Sequence, residues 1–368
     1  MLPDLPAASL FRIVAVTAGL LVFGGLGGLV AQALHTPMPF MLGSLAAAAL
    51  TVAPLQHSAL AGYRFPLKLR TVFIGLIGVM IGTQVTPDLL ALVPDLPLTL
   101  GALVIFVALC HAGNYQIFRR LGGYDRATAY YSGTPGGLME SMVMGERAGA
   151  DPRVLTAQQF LRIILVITLV PSALSLWLAH PVGSGCCLSA ATPDPVSARD
   201  LSLILGAALL GLGLARITHL PAGQITGPLL LAATLTLSGV IDLHLPFWLI
   251  ATAQVVIGVS LGLRFTGMTA AMLRKSVWLS ALSVAWMLLV GAAFALALAW
   301  ATGIPFLHLM ISYSPGGVTE MSVIALSLAA NPALVSLHHV VRILLTVGLM
   351  VASEKRLGFG PAQPDGQG

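Results

Sequence analysis

The chain has 368 residues, of which 57% are hydrophobic and only 8% are charged, with a formal net charge of +5. A soluble domain carries about 25% charged residues, so this composition excludes a soluble enzyme or regulator. The basic residues are spread over short loops and form no basic face, so we predict no nucleic-acid partner. Apolar runs of roughly 17–25 residues recur along the chain, and each is long enough to cross a bilayer. These features predict an all-α, polytopic membrane protein.

Ten membrane spans are predicted, five on each side of a linker rich in Pro, Gly and Ser. The first apolar run is too long for the core of a signal peptide, so we interpret it as a helix. The linker, residues 181–200, separates a first membrane repeat (1–180) from a second (201–356). Residues 357–368 are predicted to be a disordered cytoplasmic tail. The predicted spans are 11–34, 40–55, 71–86, 98–118, 155–179, 201–217, 225–241, 247–263, 277–301 and 335–352.

One motif occurs once in each half of the chain, with constant spacing between its two copies. The segment Ser132–Glu140 reads SGTPGGLME, and the segment Ser312–Glu320 reads SYSPGGVTE. A Pro-Gly-Gly turn breaks a helix and frees backbone groups, which the membrane tolerates only inside protein or beside a watery cavity. Two such breaks at corresponding places in two halves indicate the binding site of a transporter. We therefore predict that about 128–149 and 307–329 are re-entrant, broken helices.

The distribution of Lys and Arg favours two halves in opposite orientations. With both broken helices re-entrant, each half crosses the membrane five times, and only Arg199 among the loop cations lies outside. Treating both segments as full crossings gives twelve spans and divides the loop cations 10:6 between the two sides of the membrane. We therefore predict two inverted five-helix repeats with both termini cytoplasmic. The fifteen cytoplasmic cations are then Arg12, Arg64, Lys68, Arg70, Arg119, Arg120, Arg126, Arg147, Arg153, Arg216, Arg264, Arg274, Lys275, Lys355 and Arg356.

Four ionisable side chains are left at membrane depth, and they form two corresponding sets. Glu140 and Glu320 follow the Pro-Gly-Gly turns, and Arg162 and Arg342 lie in the last helix of each half. A lone charge at the centre of a bilayer costs at least about 2.5–3.5 kcal/mol. We therefore expect these four side chains to be paired, to face a cavity, or both.

The functional hypothesis is a shared anion site. Free N–H groups after each turn, at the positive end of a helix, can hold an anionic group. The two arginines can clamp a carboxylate, while either glutamate carries a proton or helps to hold Na⁺. No catalytic residue, metal ligand or cofactor is predicted. The candidate substrate- and ion-binding residues are Ser132, Thr134, Gly136, Gly137, Glu140, Arg162, Ser312, Ser314, Gly316, Gly317, Thr319, Glu320 and Arg342.

Purely structural interpretations stay open beside this hypothesis. In the first of these, each glutamate only complements the positive N-terminal end of its helix and neutralises an arginine. In the second, Pro-Gly-Gly is a packing turn that binds no ligand. Ser and Thr near turns often cap backbone groups. Gln158–Gln159 and His338–His339, at corresponding places, can satisfy backbone groups or touch substrate. Four glycines in the first helix, Gly24, Gly25, Gly27 and Gly28, predict close helix packing.

The duplicated Ser-x-x-Pro-Gly-Gly-x-x-Glu blocks, the Asp151–Pro152 and Asn331–Pro332 steps, and the downstream arginines resemble the bacterial AbrB membrane-protein family. That family, which is not the small DNA-binding regulator of the same name, carries two copies of one membrane domain and is often labelled ammonia monooxygenase or regulator. The five-plus-five plan is also similar to secondary transporters of glutamate and citrate, an analogy of architecture that implies a homodimer.

The sequence also bears on two other functions. Oxidation chemistry at copper or iron needs clustered ligands, yet none of the nine His pair at the i, i+4 spacing, so we expect no monooxygenase activity. The main alternative is a membrane sensor that affects expression indirectly, because the sequence contains no helix-turn-helix or signalling domain. We expect a transporter of a small, anionic organic solute, coupled to H⁺ or Na⁺, in a bacterial inner membrane.

Overall fold

The structure is a computed structural model, and the regular elements of the residues it describes are all helical. The described residues are 7–55, 58, 60–85, 92–179, 182, 197–220, 222–241, 243, 246–265, 270–328 and 330–357. Within them lie fourteen α-helices, a π-helical turn at Ile117–Leu121 and two 3-10 turns, at 92–95 and at Leu263–Phe265. The α-helices are α1 Ala7–Ala33, α2 Pro39–Leu55, α3 Leu67–Thr83, α4 Leu96–Gln116, α5 Arg126–Ser132, α6 Leu138–Arg147, α7 Pro152–Leu178, α8 Ala198–Ile217, α9 Gly223–Leu237, α10 Phe247–Gly262, α11 Ala270–Thr302, α12 Phe306–Tyr313, α13 Val318–Ser327 and α14 Pro332–Leu357.

Each of the ten predicted spans coincides with one of these helices. Six helices of the described residues are long and apolar enough to cross a membrane, and α2, α9 and α10 contain shorter apolar stretches. The all-helical, membrane-type class is thereby confirmed. The number of crossings and the inverted orientation stay predictions. Most of the predicted linker and nearly all of the predicted tail lie outside the described residues.

The chain forms two compact units, and α7 and α13 each contribute to both. Unit 1 contains Met1–Val85, Pro171–Gly267 and Leu326–Ala329. Unit 2 contains Thr86–Val170, Met268–Ala325 and Ala330–Gly368, and so includes both Pro-Gly-Gly segments. Each unit takes helices from both halves of the sequence, and the boundaries of the two predicted repeats stay a prediction.

Neighbouring helices in unit 1 meet at glycines that occupy corresponding positions. A Cβ on Gly27 of α1 would lie 2.6 Å from the carbonyl oxygen of Gly43 on α2. The same contact recurs in the second half of the sequence, where Gly211 of α8 meets Gly227 of α9. Only glycine permits backbones to approach so closely.

Contacts between the two sequence halves in unit 1 are also matched. A Cβ on Gly78 of α3 would lie 2.6 Å from the carbonyl oxygen of Ile225 on α9. Gly258 of α10, the counterpart of Gly78 in the second half, lies against the carbonyl oxygen of Met41 on α2. Each half therefore packs its third helix on the second helix of the other half.

The first helix packs closely at three of the four glycines for which the sequence predicts close packing. Gly24 lies against Val259, Gly27 against α2, and a Cβ on Gly28 would lie 2.8 Å from the ring of Phe40. Gly25 has no neighbour within 4 Å of a Cβ position. The helix thus uses one face for packing, because residues three and four apart share a face.

Unit 2 contains two broken helices whose breaks fall at the two Pro-Gly-Gly turns. The first break separates α5 from α6, and the second separates α12 from α13. Gly137 adopts φ +61° and precedes α6, a left-handed conformation that favours glycine. The Asp125 side chain caps the other end of the first broken helix by accepting a hydrogen bond from the Thr128 N–H at 2.9 Å.

Candidate functional site

The two membrane-depth arginines bind the carbonyl groups that the helix breaks leave free. Arg162 on α7 donates from Nη1 to the carbonyl oxygen of Thr134. Arg342 on α14 donates from Nη1 to the carbonyl oxygen of Ser314 at 2.5 Å, and from Nη2 to that of Gly316 at 2.6 Å. Thr134 and Ser314 occupy the same place in the two copies of the motif. Both guanidinium groups therefore fasten a helix to the turn of its own half.

These two guanidinium groups are buried and near enough to interact electrostatically. Among the described residues, the Nε atoms of Arg162 and Arg342 have no hydrogen-bond partner. Two buried like charges with unused donors are costly unless something neutralises them. The two unused Nε–H donors, on two cationic groups, therefore suit an anionic ligand.

The two glutamates take the third position of the helices that follow the turns. Glu140 on α6 is exposed, and its Oε2 lies 3.6 Å from where a Cβ on Gly137 would be. Glu320 on α13 is 6% exposed, and its carboxylate lies over Gly317. At this position a carboxylate complements the positive end of the helix. The pairing of each glutamate with an arginine stays a prediction.

Three of the predicted hydroxyl groups donate to backbone carbonyls three or four residues before them, at the end of the helix that precedes each turn. Thr134 Oγ1 donates to the Tyr131 carbonyl oxygen at 3.1 Å. Ser312 and Ser314 donate to the carbonyl oxygens of His308 and Met310 at 2.8 and 2.7 Å. These three contacts match the capping interpretation of the sequence.

The other two predicted hydroxyl residues differ from these. Ser132 is buried, and its Oγ has no partner in the described part of the chain. Thr319 is half-buried near the start of α13. Of these five hydroxyl groups, the Ser132 hydroxyl is thus buried and without a hydrogen-bond partner among the described residues.

The first Pro-Gly-Gly turn contacts the last helix of the other sequence half. A Cβ on Gly136 would lie 3.2 Å from Thr346 Oγ1, and one on Gly137 would lie 3.3 Å from Val347 Cγ2. Both contacts lie about one turn beyond Arg342 on α14. The structure therefore brings the turn of the first half close to the arginine of the second.

A buried amide that the sequence hypothesis did not include supports the first break. Asn114 on α4 donates from Nδ2 to the Gly133 carbonyl oxygen at 3.0 Å. Its Oδ1 accepts a hydrogen bond from Ser283 Oγ at 2.8 Å. The available signal was a lone amide inside an apolar span, where polar groups need partners.

The glutamine pair before Arg162 makes structural contacts. Gln159 donates from Nε2 to the Tyr131 carbonyl oxygen and to Thr134 Oγ1, each at 2.8 Å. Gln158 donates to the Tyr124 hydroxyl at 2.8 Å. Burial raises the pKa of the Tyr124 phenol, and the hydrogen bond from Gln158 opposes that rise in pKa. In the first half, therefore, both amides satisfy protein groups.

Within the described ranges, no three side chains of the His, Cys, Asp and Glu types converge as metal ligands. The site residues of unit 2 are basic, amide, imidazole and hydroxyl groups, together with the carboxylates of Glu140 and Glu320, around two backbone breaks. The guanidinium and amide groups supply hydrogen-bond donors, and the carboxylates accept.

Comparison with known proteins gives one family and two relatives. The family model described as transition state regulatory protein AbrB matches residues 52–353. A protein of Escherichia coli (strain K12) with the name "Putative regulator AbrB" is 27% identical over 315 residues, which cover 84% of this chain and 87% of that protein. A protein of Bacillus subtilis (strain 168), "Uncharacterized protein YhjN", is 22% identical over 290 residues, which cover 75% of each chain.

Proposed function

For this chain, which belongs to the AbrB family, we propose the function of a secondary active transporter of a small, anionic organic solute. The observation that carries the proposal is the pair of buried arginines at two equivalent helix breaks. Each guanidinium holds its own turn and keeps an Nε donor unused by the described residues. A carboxylate is the ligand that such donors bind best.

The inverted-repeat arrangement is part of this proposal. Reciprocal contacts, Gly78 on Ile225 and Gly258 on Met41, support a two-fold relation between the halves, since a two-fold axis generates each contact twice. The bias of Lys and Arg to one side supports an axis in the membrane plane. The two broken helices then enter from opposite sides, and a rigid-body movement exposes the solute to each side in turn.

Coupling to H⁺ or Na⁺ is assigned to the two glutamates. Glu320 is buried beside its turn, whereas Glu140 is exposed, so the pair is not equivalent in the structure. A buried carboxylate at a helix break is suited to exchange a proton or to coordinate a cation. We place the protein in a bacterial inner membrane, with both termini cytoplasmic, as a homodimer.

The proposal is tested by binding and by uptake. Purified protein is screened by thermal shift against small organic acids, with and without Na⁺, and radiolabelled hits are followed into proteoliposomes. We expect Arg162→Gln to abolish uptake while the variant keeps its helical circular dichroism spectrum. Arg199→Gln, which removes an exposed charge in unit 1, is the matched control and retains uptake. Uptake by Arg162→Gln at the wild-type rate overturns the proposal.

The second candidate is a membrane sensor in which the arginines are structural. The hydrogen bonds of both arginines to turn carbonyls favour this interpretation, and the Escherichia coli relative carries the name of a regulator. If the protein is a sensor, Arg162→Gln should lose its fold together with any response. Proteoliposomes with the wild-type protein should then accumulate no organic acid.

A further inference from the structure

Two corresponding side chains in unit 2 are used differently. Gln159 occupies the position one turn before Arg162, and its amide binds Tyr131 and Thr134. His339, which takes the same position before Arg342, is fully buried, yet neither ring nitrogen has a hydrogen-bond partner among the described residues. Gln159 therefore binds protein through Nε2, although its Oε1 has no partner among the described residues, whereas both nitrogens of His339 lack one.

A buried imidazole without hydrogen-bond partners is energetically unfavourable. A neutral imidazole carries one N–H donor and one nitrogen acceptor, and leaving both unpaired in a buried site is costly. His339 lies beside Arg342, with which it interacts electrostatically. The adjacent His338 binds the Leu334 carbonyl oxygen through Nδ1 at 2.9 Å, and its Nε2 also has no partner in the described part of the chain.

We propose that His339 is a specificity-determining residue that recognises a hydroxyl group on a carboxylate substrate. This inference rests on the proposed transport function and names its substrate class. A carboxylate only accepts hydrogen bonds, so it satisfies the unused Nε donors of Arg162 and Arg342 but offers nothing to an imidazole acceptor. The imidazole needs a ligand group that both donates and accepts, as a hydroxyl does.

An amino group also donates, but electrostatics disfavour it here. An ammonium placed beside two buried guanidinium groups meets like charges in a medium of low dielectric constant. A hydroxyl is neutral and carries no such penalty. The site therefore fits a hydroxycarboxylate rather than an amino acid.

The experiment measures binding of two acid pairs that differ by one hydroxyl: L-lactate with propionate, and L-malate with succinate. Titration calorimetry on the full chain in detergent gives each Kd. We expect the wild-type protein to bind the hydroxy acid at least about tenfold more tightly in one pair, because a buried hydrogen-bonding site rejects the analogue that lacks the hydroxyl. His339→Phe, which keeps a ring and removes both nitrogens, should reduce that ratio to about threefold or less.

Two controls separate recognition from support of the fold. His339→Phe should melt at or above the wild-type temperature, since it replaces an unsatisfied polar group with an apolar one. Gln159→Leu should melt lower, because it breaks two hydrogen bonds, and should keep the hydroxyl preference. If His339→Phe does not fold, His339→Leu replaces it, with the same expected loss of preference, because leucine also lacks a donor and an acceptor.

The possible outcomes distinguish this inference from the proposed function. Equal binding of both members of each pair by the wild-type protein, or an unchanged preference in the His339 variant, overturns the role of His339 and leaves anion transport standing. Binding of none of the four acids, together with no uptake of any organic acid in the screen, overturns the proposed function and this inference with it.

Discussion

The Arg342 guanidinium donates to the Ser314 carbonyl oxygen at 2.5 Å and so ties α14 to the residue before Pro315. Arg162 makes the corresponding bond to Thr134, the residue before Pro135. Proline removes a backbone donor and ends the helix, which leaves carbonyls of the preceding turn without N–H partners. A guanidinium supplies those donors from another helix, so in each half the arginine stabilises the helix break.

Arg342→Lys should destabilise the protein although it keeps the charge. The planar guanidinium reaches two carbonyls at once, at Ser314 and Gly316, whereas an ammonium on a flexible stem binds as a point charge. Losing one buried, charge-assisted hydrogen bond costs about 1.5–3 kcal/mol. Thermal melting in detergent checks this, with Arg199→Lys as the exposed control. An Arg342→Lys variant that melts with the wild-type protein would show that the second carbonyl contact contributes nothing.

The helix breaks were predictable because their cause is local. Pro-Gly-Gly ends a helix wherever it lies, and both breaks are found at the predicted turns. The sequence could single out Arg162 and Arg342 because charged residues are rare in an apolar chain, and both bind the turn of their own half; their role in binding a ligand stays a prediction. Their partners were not predictable, because backbone carbonyls carry no signal in the sequence, and only packing decides which carbonyl a side chain reaches.

The uncharged residues that support the helix breaks were harder to predict from the sequence. Asn114 supports the first break, yet its counterpart in the second half is Phe294, which stacks on Tyr313 with ring centroids 5.9 Å apart. At corresponding positions, the first half thus uses an amide hydrogen bond and the second half an aromatic contact. The repeat pattern alone therefore predicts neither contact. The division into two units was likewise hidden, because it combines helices far apart in the chain.

Gly78→Ala should lower the melting temperature, and Gly213→Ala should not. A Cβ on Gly78 would lie 2.6 Å from the Ile225 carbonyl oxygen, so α3 and α9 must separate, at a cost of about 1–3 kcal/mol. Gly213 on α8 has nothing within 4 Å of its Cβ position, and alanine there gains up to about 1 kcal/mol in helix propensity. Melting curves of both variants in one detergent make the comparison. Equal melting temperatures would contradict the close approach of α3 and α9.

Asn114→Ala and Ser283→Ala should be coupled. Asn114 binds both the Gly133 carbonyl oxygen and Ser283 Oγ, so its loss leaves two buried groups unpaired, at about 1–3 kcal/mol each. Ser283→Ala alone removes one of the same bonds. The double variant should therefore be less destabilised than the sum of the single variants, by about 0.5–3 kcal/mol. Additive changes in unfolding free energy, measured by denaturant titration, would show that the two side chains do not act together.

Labelling of the cysteines tests the inverted topology. Cys186 and Cys187 fall in the part of the predicted external linker that lies outside the described residues, whereas Cys110 is buried in α4. A membrane-impermeant maleimide should therefore label intact cells, and the Cys186→Ser/Cys187→Ser double variant should not be labelled, because a buried thiol is out of reach of the reagent. Reaction only after the membrane is permeabilised would place the linker in the cytoplasm. With the N-terminus in the cytoplasm as predicted, the first half would then cross the membrane an even number of times. The two halves could therefore not have the predicted opposite orientations, and the two breaks would not enter the membrane from opposite sides.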